Sequence, residues 1–257
     1  GGQGQDRGGA GAPGPDDRDA RCREATLALF AETRQPCVAG RPDALAVAQS
    51  GDRFDQRIVS QLILPLLGKG GSYRSFGKLL EIHGGYFADF ADWSRLAMMR
   101  NRRTLDELRR LQRDAVDPAP IGRMIALIEH EQGFPLYDAV GRLKRELASA
   151  PHAEFRFSSE GVEIAAEVRR DAFEQWIAAD LRRIEAAMDQ ALARAALPAD
   201  RIDRVFLTGG SSLIPAIRAI FTRRFGDERI ASGGELTSIA HGLALIGEAE
   251  NLDQWVV

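Results

Sequence analysis

Residues 204–225 read RVFLTGGSSLIPAIRAIFTRRF, and the reading of this stretch decides the fold. Val205, Phe206 and Leu207 make a short apolar strand that runs into Thr208-Gly209-Gly210-Ser211-Ser212. A helix then opens with Pro215 in its first turn and carries Ile214, Ile217, Ile220 and Phe221 on one face. Glycines at a strand–helix junction let the backbone approach a ligand, and the helix start leaves N–H groups free to bind anions. The same residues also describe an ordinary strand–turn–helix with a serine cap. Taken alone, the stretch leaves both readings open.

Working back from it, residues 170–197 form the longest predicted helix. Phe173, Trp176, Ile177, Leu181, Ile184, Met188 and Leu192 make one apolar stripe, with Arg, Asp and Glu on the other side. The stripe lasts too few heptads for a coiled coil. Before it, Phe155, Phe157, Val162, Ile164, Ala166 and Val168 alternate around Ser158-Ser159-Glu160-Gly161, which predicts a β-hairpin.

Residues 86–147 read as helical. Short helices are predicted over 92–100 and 104–114, the second with Thr104 as cap and Glu107 completing a capping box. Asp117-Pro118-Ala119-Pro120 breaks the chain before a helix at 121–132, and Gly133-Phe134-Pro135 breaks it before another at 136–149. Arg100, Arg102, Arg103, Arg109, Arg110 and Arg113 are interleaved with Asp106, Glu107 and Asp114, so they read as a solvated helix face. Further back, an amphipathic helix is predicted over 55–67. Phe54, Ile58, Leu62 and Leu66 share its face, and Asp52 and Asp55 bracket its start as capping acids in preference to an acid–base pair. Gly68-Lys69-Gly70-Gly71-Ser72 lacks the GxxxxGK[ST] spacing of a phosphate loop and reads as a mobile surface loop.

Near residue 45 the composition changes. Before it Gly, Ala, Pro, Asp and Arg dominate, relieved by Leu27, Leu29 and Phe30, so residues 1–44 are expected to be unassigned to the fold, with at most one short helix. The 257 residues are 44% apolar, enough for a substantial core. A net charge of −3 argues against a nucleic-acid-coating surface. No apolar run approaches the roughly 20 residues that span a bilayer. Together with the lack of a secretory-type apolar core in the first residues, this leads us to expect a cytoplasmic protein without membrane partners. Cys22 and Cys37 allow one opportunistic disulfide, but two idle thiols suit that compartment better. His83, His130, His152 and His241 have no metal-ligand spacing, and Trp93, Trp176 and Trp255 are too scattered to form a binding box.

Three blocks in order now carry a resemblance: SGDRFDQRIV at 50–59, AVGRLKRELAS at 139–149 and VFLTGGSSLIPAIRAIF at 205–221. Thr237-Ser238-Ile239-Ala240-His241-Gly242-Leu243-Ala244 fits the same pattern as a closing helix at about 236–248. The chain resembles the C-terminal half of the nucleotide-binding domain of DnaK-type 70-kDa heat-shock chaperones, in particular short bacterial homologues with little or no peptide-binding domain. The resemblance implies an α/β fold: an actin-like ATPase (ribonuclease H-like) lobe, incomplete, at 45–257, with a helical insertion subdomain at about 68–150. Sugar kinases share that superfamily fold, but have no reason to carry the Gly-Asp-Arg-Phe-Asp block and the Lys-Arg helix together.

By the same resemblance, ATP or ADP is the ligand, with Mg2+ accompanying it in the family, although no metal ligand is identified in this chain. Gly209 and Gly210 would offer backbone room and N–H groups, Ser211 would bond the adenine edge, and Ile214 would supply apolar contact. Lys144 would point at the ribose, and Arg145 would stack on the purine. Client proteins or co-chaperones are the implied partners. Departures are Gly141, where the family has a glutamate on the ribose, Ala148 in place of a serine that Ser149 could replace, and Leu213 in place of a second stacking arginine. Neither glycine-rich phosphate hairpin nor the first-lobe lysine is found, so no catalytic residue is assigned and residues 1–49 read as foreign to the family, the chain being a partial copy. Two functions follow as expectations: an ATP-dependent chaperone-type protein, or a nucleotide-binding or interaction module without hydrolysis.

Overall fold

The computed structural model describes residues 26–30, 44–48 and 51–231; the predicted closing helix, Cys22, Cys37, His241 and Trp255 lie outside them. Strands β1 (Thr26–Phe30) and β2 (Ala44–Ala48) precede helix α1 (Asp52–Ile58). The helix continues as a π turn, Val59–Ile63, and a 3-10 turn, Leu64–Leu67, stopped by Gly68 at φ 101°. A hairpin of β3 (Ser72–Ser75) and β4 (Lys78–Glu81) leads to α2 (Gly84–Phe90), α3 (Trp93–Met99), α4 (Arg102–Asp114), α5 (Pro118–Glu129) and α6 (Gly133–Ser149). A second hairpin, β5 (His152–Ser159) and β6 (Val162–Arg169), feeds α7 (Arg170–Ala195). Strand β7 (Arg204–Leu207), a 3-10 turn at Gly210–Leu213, α8 (Pro215–Phe225) and β8 (Ile230–Ala231) follow.

The central sheet has the order β2-β1-β7-β8, and every neighbouring pair is parallel. Parallel neighbours need a crossover, and α8 supplies the one between β7 and β8. Its buried residues Ile217, Ile220, Phe221 and Phe225 share one core with Val205 and Leu207. The β5–β6 hairpin shows the predicted alternation. Ala153, Phe155, Phe157, Val162, Ile164 and Val168 are buried, and the turn uses Glu160 and Gly161, both at positive φ as a tight hairpin requires. Along α7, Phe173, Ile177, Ile184, Met188 and Leu192 are buried, while Trp176 and Leu181 are half-buried. The helix ends where Ala196 turns left-handed (φ 52°) and Leu197 N–H donates to Leu192 O at 3.1 Å.

Several expectations are corrected. Thr26–Phe30 is a strand, not a loose segment or short helix, paired with β7 on one side and β2 on the other. A short apolar run does not reveal its own periodicity; an open sheet edge with unpaired N–H and C=O groups decides it. Both β1 and β2, which precede position 49, are thereby built into the central sheet, and this counts against reading residues 1–49 as foreign to this fold.

The single helix expected at 55–67 starts at Asp52 with Gly51 as N-cap, and the π turn rotates its later part. Phe54, Ile58, Val59, Ile63, Leu64 and Leu67 are buried, whereas Leu62 is half-buried and Leu66 is 40% exposed. A π turn inserts one extra residue per turn, and the buried face moves from 62 and 66 to 63 and 67. The loop at 68–72 is tethered, with Lys69 Nζ donating to Ser60 Oγ at 2.7 Å, and it opens into the unforeseen β3–β4 hairpin.

Helix starts also shift. Asn101, not Thr104, caps α4, its side chain accepting from Thr104 N–H at 2.9 Å, while Glu107 pairs with Arg103. Asp117 caps α5 so that Pro118 and Pro120 fall inside the first turn. Gly133-Phe134-Pro135 opens α6 instead of breaking the chain, since a first-turn proline has no helical hydrogen bond to lose. The arginines of α4 form exposed ion pairs, Arg102 with Asp106 and Arg109 with both Asp106 and Glu129.

Candidate functional site

The turn after β7 is held by its own hydroxyl. Ser212 Oγ donates to Gly209 O at 2.6 Å, and Ser212 N–H reaches the same carbonyl at 3.0 Å. Gly209 adopts φ 85° and ψ 158°, a backbone region that glycine alone enters readily. The N-cap position of α8 is Ile214, which has no side-chain hydrogen bond to give, so the ordinary serine-cap reading of this turn does not hold. Gly210 is exposed and Ser211 is buried to 8% exposure. Ile214 lies beneath the turn in the core at 1% exposure.

Ser211 faces two residues from other elements. A Cβ on Gly51 would sit 3.1 Å from Ser211 Oγ and 3.7 Å from Lys144 Nζ. The N-cap of α1, the middle of α6 and the turn after β7 therefore converge on one point. Close approach explains the glycine: any side chain at position 51 would press on the Ser211 hydroxyl.

Lys144 points toward α1, where its Nζ lies 2.7 Å from Asp55 Oδ1, each side chain 17% exposed. The contact is an ion pair without hydrogen-bond alignment, and Oδ1 has no other partner among the described residues. Burial pushes the Asp55 carboxyl above its ordinary range; the attraction of Lys144 and, more weakly, Arg145 opposes that rise. Asp55 is thus not a helix cap, as its spacing suggested, but the acid of a half-buried pair. The phenol of Tyr137 donates to Ala91 O at 2.6 Å, and burial, with Asp55, Asp92 and Asp52 adding to it, drives its pKa up.

Arg145 is exposed, and its guanidinium would lie 3.4 Å from a Cβ placed on Gly141. The glycine departure leaves the space over which Arg145 folds along its own helix. The Ser149 hydroxyl donates back to Glu146 O at 3.2 Å. Leu213 is 44% exposed beside the turn. Of the residues expected at the site, Lys144 and Ser211 are brought together; Arg145, Gly209 and Gly210 border them, and Ile214 supports the turn from below.

A second polar cluster escaped the sequence reading. Asp180 of α7 is fully buried within the apolar stripe and takes Arg57 Nε at 2.8 Å, Arg53 Nε at 3.2 Å and Arg183 at 3.1 Å. Its signal was there: an acid three residues after Ile177 and four before Ile184 sits in the stripe, not opposite it. Burying a carboxylate demands paired charges, and this one has three. Among the described residues, no group of three or more His, Cys, Asp or Glu is placed to hold a metal ion, so the Mg2+ expected with nucleotide finds no carboxylate cluster there.

The described residues form a mixed α/β lobe in which a glycine turn faces a helix carrying a Lys-Arg pair. Residues 131–251, which contain Lys144, Arg145 and the 209–211 turn, match the family described as Hsp70 protein. A heat shock protein homolog of Saccharomyces cerevisiae is 28% identical over 110 residues, 42% of this chain and 16% of that protein. The chaperone protein DnaK of Deinococcus deserti is 36% identical over 94 residues, 33% of this chain and 15% of its own length. The chain thus spans a small part of these relatives. Over residues 131–251 the chain is similar to the Hsp70 family, and the mixed helix and strand architecture accords with the actin-like ATPase fold which that match implies.

Proposed function

We propose that this chain forms the second lobe of an ATP-binding, DnaK-like protein of the chaperone type, gripping the adenosine half of the nucleotide between α6 and the turn after β7. The observation that carries this reading is the convergence of Lys144 Nζ and Ser211 Oγ on Gly51. Lys144 exchanges Asp55 for a ribose hydroxyl, Ser211 bonds the adenine edge, Arg145 swings out to stack on the purine, and the N–H groups at Gly209 and Gly210 face the phosphate side. Arg145 is suited to stacking because a guanidinium is planar and weakly hydrated. Client proteins or co-chaperones, Mg2+ with the nucleotide and a cytoplasmic location belong to the same reading.

Binding without turnover is a second reading, favoured by Leu213 and Gly141, which give up one stacking face and one ribose contact. Titration of the purified chain with ADP and ATP tests both. Saturable binding that K144A weakens by about tenfold, the worth of one charge-assisted hydrogen bond, is the expected outcome. ATP turnover selects the first reading and binding without turnover the second. No binding by this chain would refute both.

A further inference from the structure

Three guanidiniums meet one carboxylate at Asp180, and this imbalance opens onto a recess. Arg53 and Arg57 lie one turn apart on α1, and each directs its Nε to Asp180. Arg183 binds the same acid from within α7. One buried negative charge thus faces three positive ones, with Arg53 and Arg57 still 44% and 36% exposed. Their outer surfaces line a cavity of about 290 Å3 together with Gln56, Ser60, Ala88, Ala91 and Asp92. Asp92 does not cancel the surplus: its carboxylate accepts from Ser94 N–H, Ser94 Oγ and Arg95 N–H, and Arg95 stands beside it. Those hydrogen bonds, that of Ser94 foremost, hold the Asp92 carboxyl below the ordinary range and bind its charge into the start of α3.

We infer that the recess between α1 and the α2–α3 junction binds a small oxyanion of the phosphate type. Arg57 also reaches Asp180 Oδ1 through Nη2 at 3.5 Å, so it offers its remaining terminal N–H groups beside those of Arg53, and two such guanidiniums one helical turn apart can clasp a tetrahedral oxyanion. The Ser60 hydroxyl and Gln56 amide add neutral donors on the same wall. The recess lies at the small end of ligand pockets, which run from roughly 300 Å3 upward, and the paired arginines set the class. A single phosphate group or a short monoester fits. The two rigid anchors are Asp180, fully buried, and α1, so the arginine forks are oriented before any ligand arrives.

Inorganic phosphate and glycerol 3-phosphate, titrated separately into the full chain and followed by backbone amide shifts, test the site. Saturable shifts confined to residues 53–60 and 88–92 are expected, with the tighter of the two ligands telling free ion from ester. R53Q should weaken binding by about tenfold, and R53K, which keeps the charge but loses the fork, by less. If R53Q fails to fold, the location of the wild-type shifts decides alone. Absence of saturation, shifts centred on 209–213, or an R53Q chain that binds as well as the wild type would each overturn the inference.

Discussion

Lys144 of α6 and Asp55 of α1 meet at 2.7 Å with both side chains mostly buried, and the lysine expected to serve a ribose is already engaged by an acid. Under the proposed function, ligand binding at this lysine would be an exchange of partners. Asp55 would lose the countercharge in contact with it in that exchange, and its burial would then favour protonation.

A pH dependence follows from that pair. The folded chain holds the Asp55 proton to higher pH than the ordinary 3.8, chiefly because burial disfavours the carboxylate. In the interval above 3.8 the native state binds more protons than the unfolded one, so this group's contribution to stability falls as pH rises through the interval. Lys144 limits the effect. K144M should therefore lose stability more steeply than wild type between about pH 4 and pH 7, and D55N should lose the Asp55 component altogether. Chemical denaturation across that range reads the slopes, and identical slopes for K144M and wild type would count against the pair.

The Asp180 cluster sets a second expectation. Arg57→Ala removes the shortest of the three contacts to a fully buried carboxylate and should destabilise by about 1–3 kcal/mol, discounted for the partial exposure of the arginine. Adding Asp180→Asn should recover part of that loss, because the uncompensated charge goes with it. Urea denaturation of the two single variants and the double variant measures the coupling; strictly additive effects would deny that the residues act as a pair.

Gly209 admits no side chain in its present conformation. At φ 85° and ψ 158°, alanine should cost about 1–3 kcal/mol even with space around it. Because Ser212 closes the turn onto the Gly209 carbonyl, G209A should also weaken ADP binding under the proposed function. Thermal melting and ADP titration follow the two effects separately, and an unchanged melting temperature would show that the turn relaxes without strain.

At the tip of the β3–β4 hairpin, Phe76 is fully exposed with φ 48°. Asparagine tolerates that backbone better and removes an exposed aromatic ring, so F76N should be neutral or stabilising by up to about 1 kcal/mol. Melting temperature and sedimentation at rising concentration check it; a loss of stability would mean the ring has a partner in solution.

How much of this was legible depended on how local the cause was. The β5–β6 hairpin and the apolar stripe of α7 declare themselves because burial repeats every two residues or every three to four along a continuous segment. Thr26–Phe30 does not, because five residues carry no decisive period and the neighbouring strand, far along the chain, settles the matter. Lys144 and Ser211 stand out as candidate site residues only through the family blocks, and the pairing of Asp55 stays hidden since a first-turn acid is ordinarily helix chemistry. Arg57 and Asp180 are 123 residues apart, and only the packing of α1 on α7 puts them in contact. The π turn at Val59–Ile63 left no local mark, for its sequence VSQLI is as apolar and regular as an α-helix.

That π turn has a consequence for how the chain tolerates insertions and deletions. A single surplus residue is absorbed between 59 and 63, so removing one there would let α1 run on as plain α-helix into Leu64–Leu67. The downstream buried face would keep its direction, because the residue lost is the one that the π turn carries in excess. Upstream anchors Arg53, Asp55 and Arg57 would stay in place and Ile63 and Leu67 would remain in the core, whereas a second deletion would rotate the downstream part by about 100°. A one-residue deletion in this segment thus acts as a shortening and not as a rotation, and only a further loss would turn one end of the lobe away from the other.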